Sequence, residues 1–187
     1  MIVYSKGFLK HNDAAACENP QRLEWCLEGL NDFELGGFEL GFFEPKQLDE
    51  KILSLAHDAQ YVEMVRNACK RNAMIDEDTY ATPESFDVAL LAAGAVVQAV
   101  EKFENSFCIV RPPGHHAPFG GFCLFNNVAI AVKHLCKKGK RVFVFDFDFH
   151  HGNGSEHMLK DEKNAFYCST HQYPAYPMTG NVEDQHK

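Results

Sequence analysis

Residues 141–154 read RVFVFDFDFHHGNG, and the fold turns on how this stretch is read. Its first half is a nearly continuous apolar run, the pattern of a buried parallel strand. Its second half carries carboxylates at Asp146 and Asp148 and imidazoles at His150 and His151. Side chains alternate along a strand, so a strand over 141–149 puts Asp146, Asp148 and His150 on one side while extended geometry lasts. Two acids side by side repel unless a cation or hydrogen bonds compensate. Carboxylate with imidazole is a donor set for Zn²⁺, Mn²⁺ or Fe²⁺, and the lack of thiolate tilts away from a purely structural zinc site. The plainer alternative is a buried acid paired with an Arg or Lys. Gly152 and Gly154 bracket Asn153 and permit a tight turn and close backbone approach beside these side chains.

Upstream, residues 107–110 form a short apolar strand stopped by Arg111-Pro112-Pro113-Gly114. His115 and His116 follow, at a second polar strand end of the same sheet. Imidazole takes protons near neutral pH, so a metal-bound water there would have a base at hand. Asp146 and Asn153 are candidate acceptors that orient the two rings. Gly120-Gly121-Phe122, with Tyr173 and Tyr176, brings glycine and aromatic residues to the same edge, suited to lining an apolar channel. Helices are expected over 20–30, 58–72, 85–102 and 128–137, the last capped by Asn126 or Asn127. Further strands are expected at 2–4 and 165–169. Helices alternating with strands give an α/β fold with a mainly parallel sheet, whose chemistry sits at the C-terminal edge of the strands.

Composition sets outer bounds. The 187 residues hold 18 Lys plus Arg against 26 Asp plus Glu, a net charge of −8, and 45% hydrophobic residues. Such a chain is not disordered throughout, and its acidity argues against coating nucleic-acid phosphates. The N-terminus has no signal-peptide pattern, and no apolar run is long enough to span a membrane. Seven cysteines stand singly with no CxxC pair, which reads as reduced thiols in a cytoplasmic protein, mostly filling the core.

RPPGHHAPFGGFCLFNNVAIA at 111–131, followed by FDFDFHHGNGSEH at 145–157, resembles the histone deacetylase superfamily, including acetylpolyamine amidohydrolases and acetoin-utilisation proteins. ENPQRL at 18–23, AHDAQYVEMV at 56–65 and DTYATPESFDVALLAAGA at 78–95 fit the same family. Asn153 is similar to the class II and bacterial or archaeal branch, where class I members carry Asp. The resemblance implies a three-layer arginase/deacetylase-like α/β fold with an eight-stranded parallel sheet, and a zinc-dependent amidohydrolase. By matching positions, Asp148 and His150 would be two zinc ligands and His116 the general base. His115 would be an electrostatic partner or acid turned toward Asp146, with Asn153 orienting His116. Gly121, Phe122 and Tyr176 would line an acyl-lysine tunnel, and Asp78 would hold the substrate backbone or amine. A structural K⁺ would use Asp146, Asp148, His150, Ser169 and Thr170.

The family's third zinc ligand and its transition-state Tyr or His belong to later segments. The resemblance therefore makes residues 1–187 the N-terminal part of a single domain, apparently truncated, with the C-terminal part absent. The tail resembles a glycine-rich loop whose usual first glycine is Met178 here. The implied substrates are acetyl-lysine peptides or acetylpolyamines, with no membrane or nucleic-acid partner; an oligomer is allowed. The chain alone is expected to be inactive or nearly so. The alternative is a non-catalytic fragment that binds an acylated ligand or a partner chain. A Mn²⁺ ureohydrolase shares the fold, but HHGNG does not match its motif.

Overall fold

The computed structural model describes residues 1–13, 16–31 and 40–181. Among them the order is β1 (Ile2–Val3), α1 (Gln21–Asn31), β2 (Phe42–Phe43), α2 (Ala59–Arg71), α3 (Ser85–Lys102), β3 (Phe107–Cys108), α4 (Asn127–Lys137), β4 (Val142–Asp146), α5 (Asn153–Leu159) and β5 (Ala165–Ser169). Every strand pair is parallel: β1 lies between β2 and β3, and β4 pairs with β5. The described residues form two sheets, of three strands and of two, where the resemblance implies eight strands for the whole family domain.

Two helices, α2 and α4, begin at a side-chain cap. Asp58 accepts the Tyr61 N–H at 2.7 Å and starts α2, and Asn72 closes it in the left-handed region at φ 51°. Asn126 accepts the Ala129 N–H at 2.9 Å and starts α4. The alanine-rich α3 is buried on most sides, as its composition predicts. Ala89, Ala93 and Val97 pack with Leu53, Val65 and Phe125. Val88, Ala92, Ala95 and Ala99 pack in a second cluster with Ile2, Val3, Phe8 and Leu23. Each fully buried Leu, Val or Phe contributes about 1.5–3 kcal/mol, so this helix anchors both layers.

Arg111 ties three of the quoted motif segments together. Its guanidinium is fully buried and donates to Glu18 Oε2 at 2.7 Å, to Glu18 Oε1 at 3.2 Å and to the Tyr80 hydroxyl at 2.7 Å, and it also reaches the His11 carbonyl. The paired carboxylate compensates a charge that burial alone would make very costly.

Two expectations for the strand at 141–149 are corrected. The strand ends at Asp146. Asp148 donates its N–H to Asp146 Oδ1 at 3.2 Å, and His150 donates its N–H to Asp148 Oδ1 at 2.8 Å, so successive Asx turns bend the chain out of the ladder. Strand alternation therefore does not govern Asp148 and His150. Nor is β4 buried on both faces. Val142 and Val144 pack on α4 and α5 beside Val132, Cys136 and Leu159. Phe143, Phe145 and Phe166 turn the other way and are 51–64% exposed, the Phe143 and Phe166 rings stacked at 5.7 Å. The strand expected at 107–110 is likewise shorter, at Phe107–Cys108, although Ile109 still donates its N–H to Val3 O at 2.9 Å.

Candidate active site

The segment after β3 and the segment after β4 meet, although among the described residues β3 and β4 belong to separate sheets and not, as expected, to one. His115 Nδ1 lies 3.1 Å from Asp146 Oδ2, and His116 Nδ1 lies 2.8 Å from Asn153 Oδ1. An ionised carboxylate only accepts, so His115 Nδ1 carries the proton there. The same logic at the Asn153 carbonyl makes His116 Nδ1 a donor and leaves its Nε2 with a free lone pair. The two rings stand 4.1 Å apart. His115 and His116 thus form two dyads side by side, one backed by a charge and one by a neutral amide.

The environment separates them further. Desolvation, followed by the neighbouring His115, pushes His116 down to about 4, against the opposing pull of Asn153 and Asp148. Burial pushes Asp146 up, but hydrogen bonds from His115 and Tyr167 outweigh it and hold the carboxyl below its usual range. Burial and the adjacent Asp76 raise Asp78, and burial together with Asp78 raises Tyr176.

His115, His116, Asp146, Asp148, His150, Asp78, Gly121, Phe122 and Tyr176 all line one cavity of about 880 Å³. Nine of the expected site residues therefore share a space. Tyr176 stands edge-on to His116 at 5.0 Å and to His150 at 5.9 Å. Gly121 has φ +62°, and a Cβ there would run into the His116 ring, so the glycine lets backbone lie against the imidazole. Asn153 stands behind His116 as the first residue of α5.

Asp148 and His150 are half open, at 50% and 42% exposure, and Asp148 Oδ1 is 3.4 Å from His150 Nδ1. One oxygen and one nitrogen converge there, which fits two positions of a zinc-type ligand set. Among the described residues, no group of three or more His, Cys, Asp or Glu side chains is placed to hold a metal ion. Ser169 pairs with Asp146 in the β4–β5 register, but its hydroxyl bonds His171 Nδ1 at 2.8 Å. Thr170 donates its N–H to the Asp146 carbonyl at 3.0 Å.

Tyr167 is the residue the sequence reading passed over. Its hydroxyl donates to Asp146 Oδ2 at 2.8 Å. The available signal was parity: in β5, Ala165, Tyr167 and Ser169 share a face, and Ser169 was already placed at the site. Met178 holds φ 64°, the left-handed conformation that the expected glycine would adopt without strain.

A family model described as "Histone deacetylase domain" matches residues 16–187. A protein of Archaeoglobus fulgidus named as a probable deacetylase is 37% identical over 196 residues, covering 98% of this chain and 54% of that one. The polyamine deacetylase HDAC10 of Mus musculus is 35% identical over 176 residues, covering 83% of this chain and 26% of its own length. The crystal structure of the HDA15 HD domain superposes with a TM-score of 0.88 at 28% identity, covering 97% of this chain and 57% of that one. The mixed α/β fold with a parallel sheet flanked by helices is thus shared. The chain spans about half the length of the Archaeoglobus fulgidus protein and of the HDA15 HD domain, 54% and 57%.

Proposed function

The chain belongs to the histone deacetylase family, and from that premise we propose that it carries the proton-handling part of a deacylase site acting on acylated amines. The observation that supports this is the pair of dyads, His115 on Asp146 and His116 on Asn153, whose two imidazoles face one cavity with Asp148 and His150. In this reading Asp148 and His150 would hold Zn²⁺. When bound, the ion polarises an amide carbonyl and lowers the pKa of its water to about 7. His116 Nε2 accepts the proton of the attacking water. His115, its ring oriented by the Nδ1–Asp146 hydrogen bond, supports the charge that develops beside it. Asp78 holds the amide N–H or the amine of the substrate. Gly121, Phe122 and Tyr176 flank the acyl arm. Asp146, Asp148, His150, Ser169 and Thr170 are the residues that would hold a structural K⁺.

Acetyl-lysine peptides and acetylated polyamines are the substrate classes. Asn153 supports the class II or acetylpolyamine branch, since class I members carry Asp there, and its neutral amide leaves His116 a weaker base than a carboxylate would. Among the described residues no helix is long and apolar enough to cross a membrane.

A second reading has its own support. Two metal-capable side chains converge where a catalytic zinc uses three protein ligands. In that reading the 187-residue chain binds an acylated amine, or a partner chain, without turning it over. One experiment separates the two: titrate acetyl-lysine peptide and N-acetylspermidine into the Zn²⁺-supplemented chain, and follow acetate release in parallel. Acetate release abolished by His116→Ala carries the hydrolase. Saturable binding without acetate carries the binding reading. No binding and no acetate removes both.

A further inference from the structure

We propose that Tyr167 is a positioning residue of this site: through its hydrogen bond it fixes the Asp146 carboxylate on which His115 turns. The inference rests on reading His115 and Asp146 as proton-handling groups, and it adds the anchor that holds them.

Tyr167 stands in the middle of β5, in register with Val144 of β4. Its ring packs on the covered face of the two-stranded sheet, in the cluster with Val132 and Leu159. That packing fixes the ring, and the hydroxyl then reaches Asp146 Oδ2 at 2.8 Å. The same oxygen accepts from His115 Nδ1 at 3.1 Å, while Oδ1 accepts the Asp148 N–H at 3.2 Å. A carboxylate held by three donors from different directions has one orientation. The Asp148 N–H moves with the same Asx turn, and His115 is the group being oriented. Tyr167 is therefore the one donor of the three that stands on a separate, packed strand.

A second observation points to the same junction. A Cβ on Gly152 would collide with Asp146 Oδ2, lie 2.6 Å from the Tyr167 hydroxyl and lie 3.0 Å from His115 Nδ1. The backbone that starts α5 thus closes over all three groups at once, and a side chain at 152 would prise them apart. Tyr167 does not line the cavity that the dyads face. It acts through Asp146 and His115 and touches no substrate.

The test is Tyr167→Phe in the 187-residue chain, read by side-chain ¹H–¹⁵N NMR of the histidines. Phenylalanine keeps the ring and deletes only the donor. The expected result is a His115 Nδ1–H signal that shifts or splits, while the His116 signal, held by Asn153, and the His57 signal stay in place. Gly152→Ala, pressing on the junction from the other side, should displace the same His115 signal. In the wild type the Tyr167 hydroxyl proton should be slow enough to observe, with a cross-peak to the His115 ring. That measurement decides the matter if both variants fail to fold. An unchanged His115 signal in Y167F, histidine signals that all move together, or no such cross-peak in the wild type would each overturn the proposal. None of these outcomes touches the deacylase reading, which stands or falls on acetate release and ligand binding.

Discussion

Acidification should loosen this protein through His57. The ring is 5% exposed and stacks on Tyr61 at 4.9 Å. Its Nε2 accepts the Asn126 N–H at 2.9 Å, so the neutral ring carries its proton on Nδ1, a buried N–H without a hydrogen-bond partner among the described residues. Protonating Nε2 would break the Asn126 bond and bury a charge near Lys133. Desolvation, then Lys133, pushes His57 down from 6.5 to about 4, against Asp58. A histidine whose native pKa is depressed binds fewer protons folded than unfolded. Its contribution is therefore complete above pH 6.5 and lost as pH falls to about 4. At about 1.4 kcal/mol per pKa unit, the loss over that window is about 3 kcal/mol. The assay is urea unfolding followed by far-UV circular dichroism at steps across the window, on the wild type and on His57→Phe. The variant starts lower, by about 1–3 kcal/mol, because Asn126 loses its acceptor. His11 and His116, also held neutral by burial, titrate in both proteins. On acidification the wild type should therefore lose about 3 kcal/mol relative to the variant, so that the gap closes or reverses sign. Parallel curves would refute the assignment. The site should feel this change, because Asn126 also bonds the Ala117 carbonyl at 3.3 Å and the Ser155 hydroxyl at 3.1 Å, beside His116 and in α5.

Three other outcomes are expected. Glu18→Ala strands the buried Arg111 guanidinium and should cost about 3–5 kcal/mol in the same urea assay; a loss under 1 kcal/mol would show that the pair is not compensating a buried charge. Met178→Gly relieves a left-handed residue at φ 64° and should add about 0.5–1 kcal/mol; a destabilised variant would contradict the strain. Calorimetric titration of Zn²⁺ should lose its heat in both Asp148→Ala and His150→Ala, whereas a signal surviving in either places the ion elsewhere.

How much was legible in the sequence depended on how local the cause is. Helices over 58–72, 85–102 and 128–137 came out within a residue or two, since Asp58, Asn126 and the alanine-rich pattern of 85–102 act within a turn or through one face. The strand at 141–149 was read too long, because an apolar run does not reveal that Asp146 and Asp148 will capture backbone N–H groups and curl the chain. It was also read as buried on both faces, and hydrophobicity alone cannot tell a covered phenylalanine from an uncovered one. Most of the site was visible, since His115, His116, Asp146, Asp148 and His150 cluster in two short motifs at strand ends. Tyr167 carries no motif of its own; only its parity with Ser169 in β5 pointed toward Asp146.

The bare phenylalanine ladder of β4 and β5 has a practical consequence at the bench. Environment-sensitive dyes light up on contiguous apolar surface, and here such surface is present before any unfolding begins. Thermal-shift curves recorded with such a dye would start bright and show little contrast at the melt. Chiroptical or NMR readouts, blind to that surface, are the appropriate gauges of this molecule, and dilute samples the appropriate form in which to measure it.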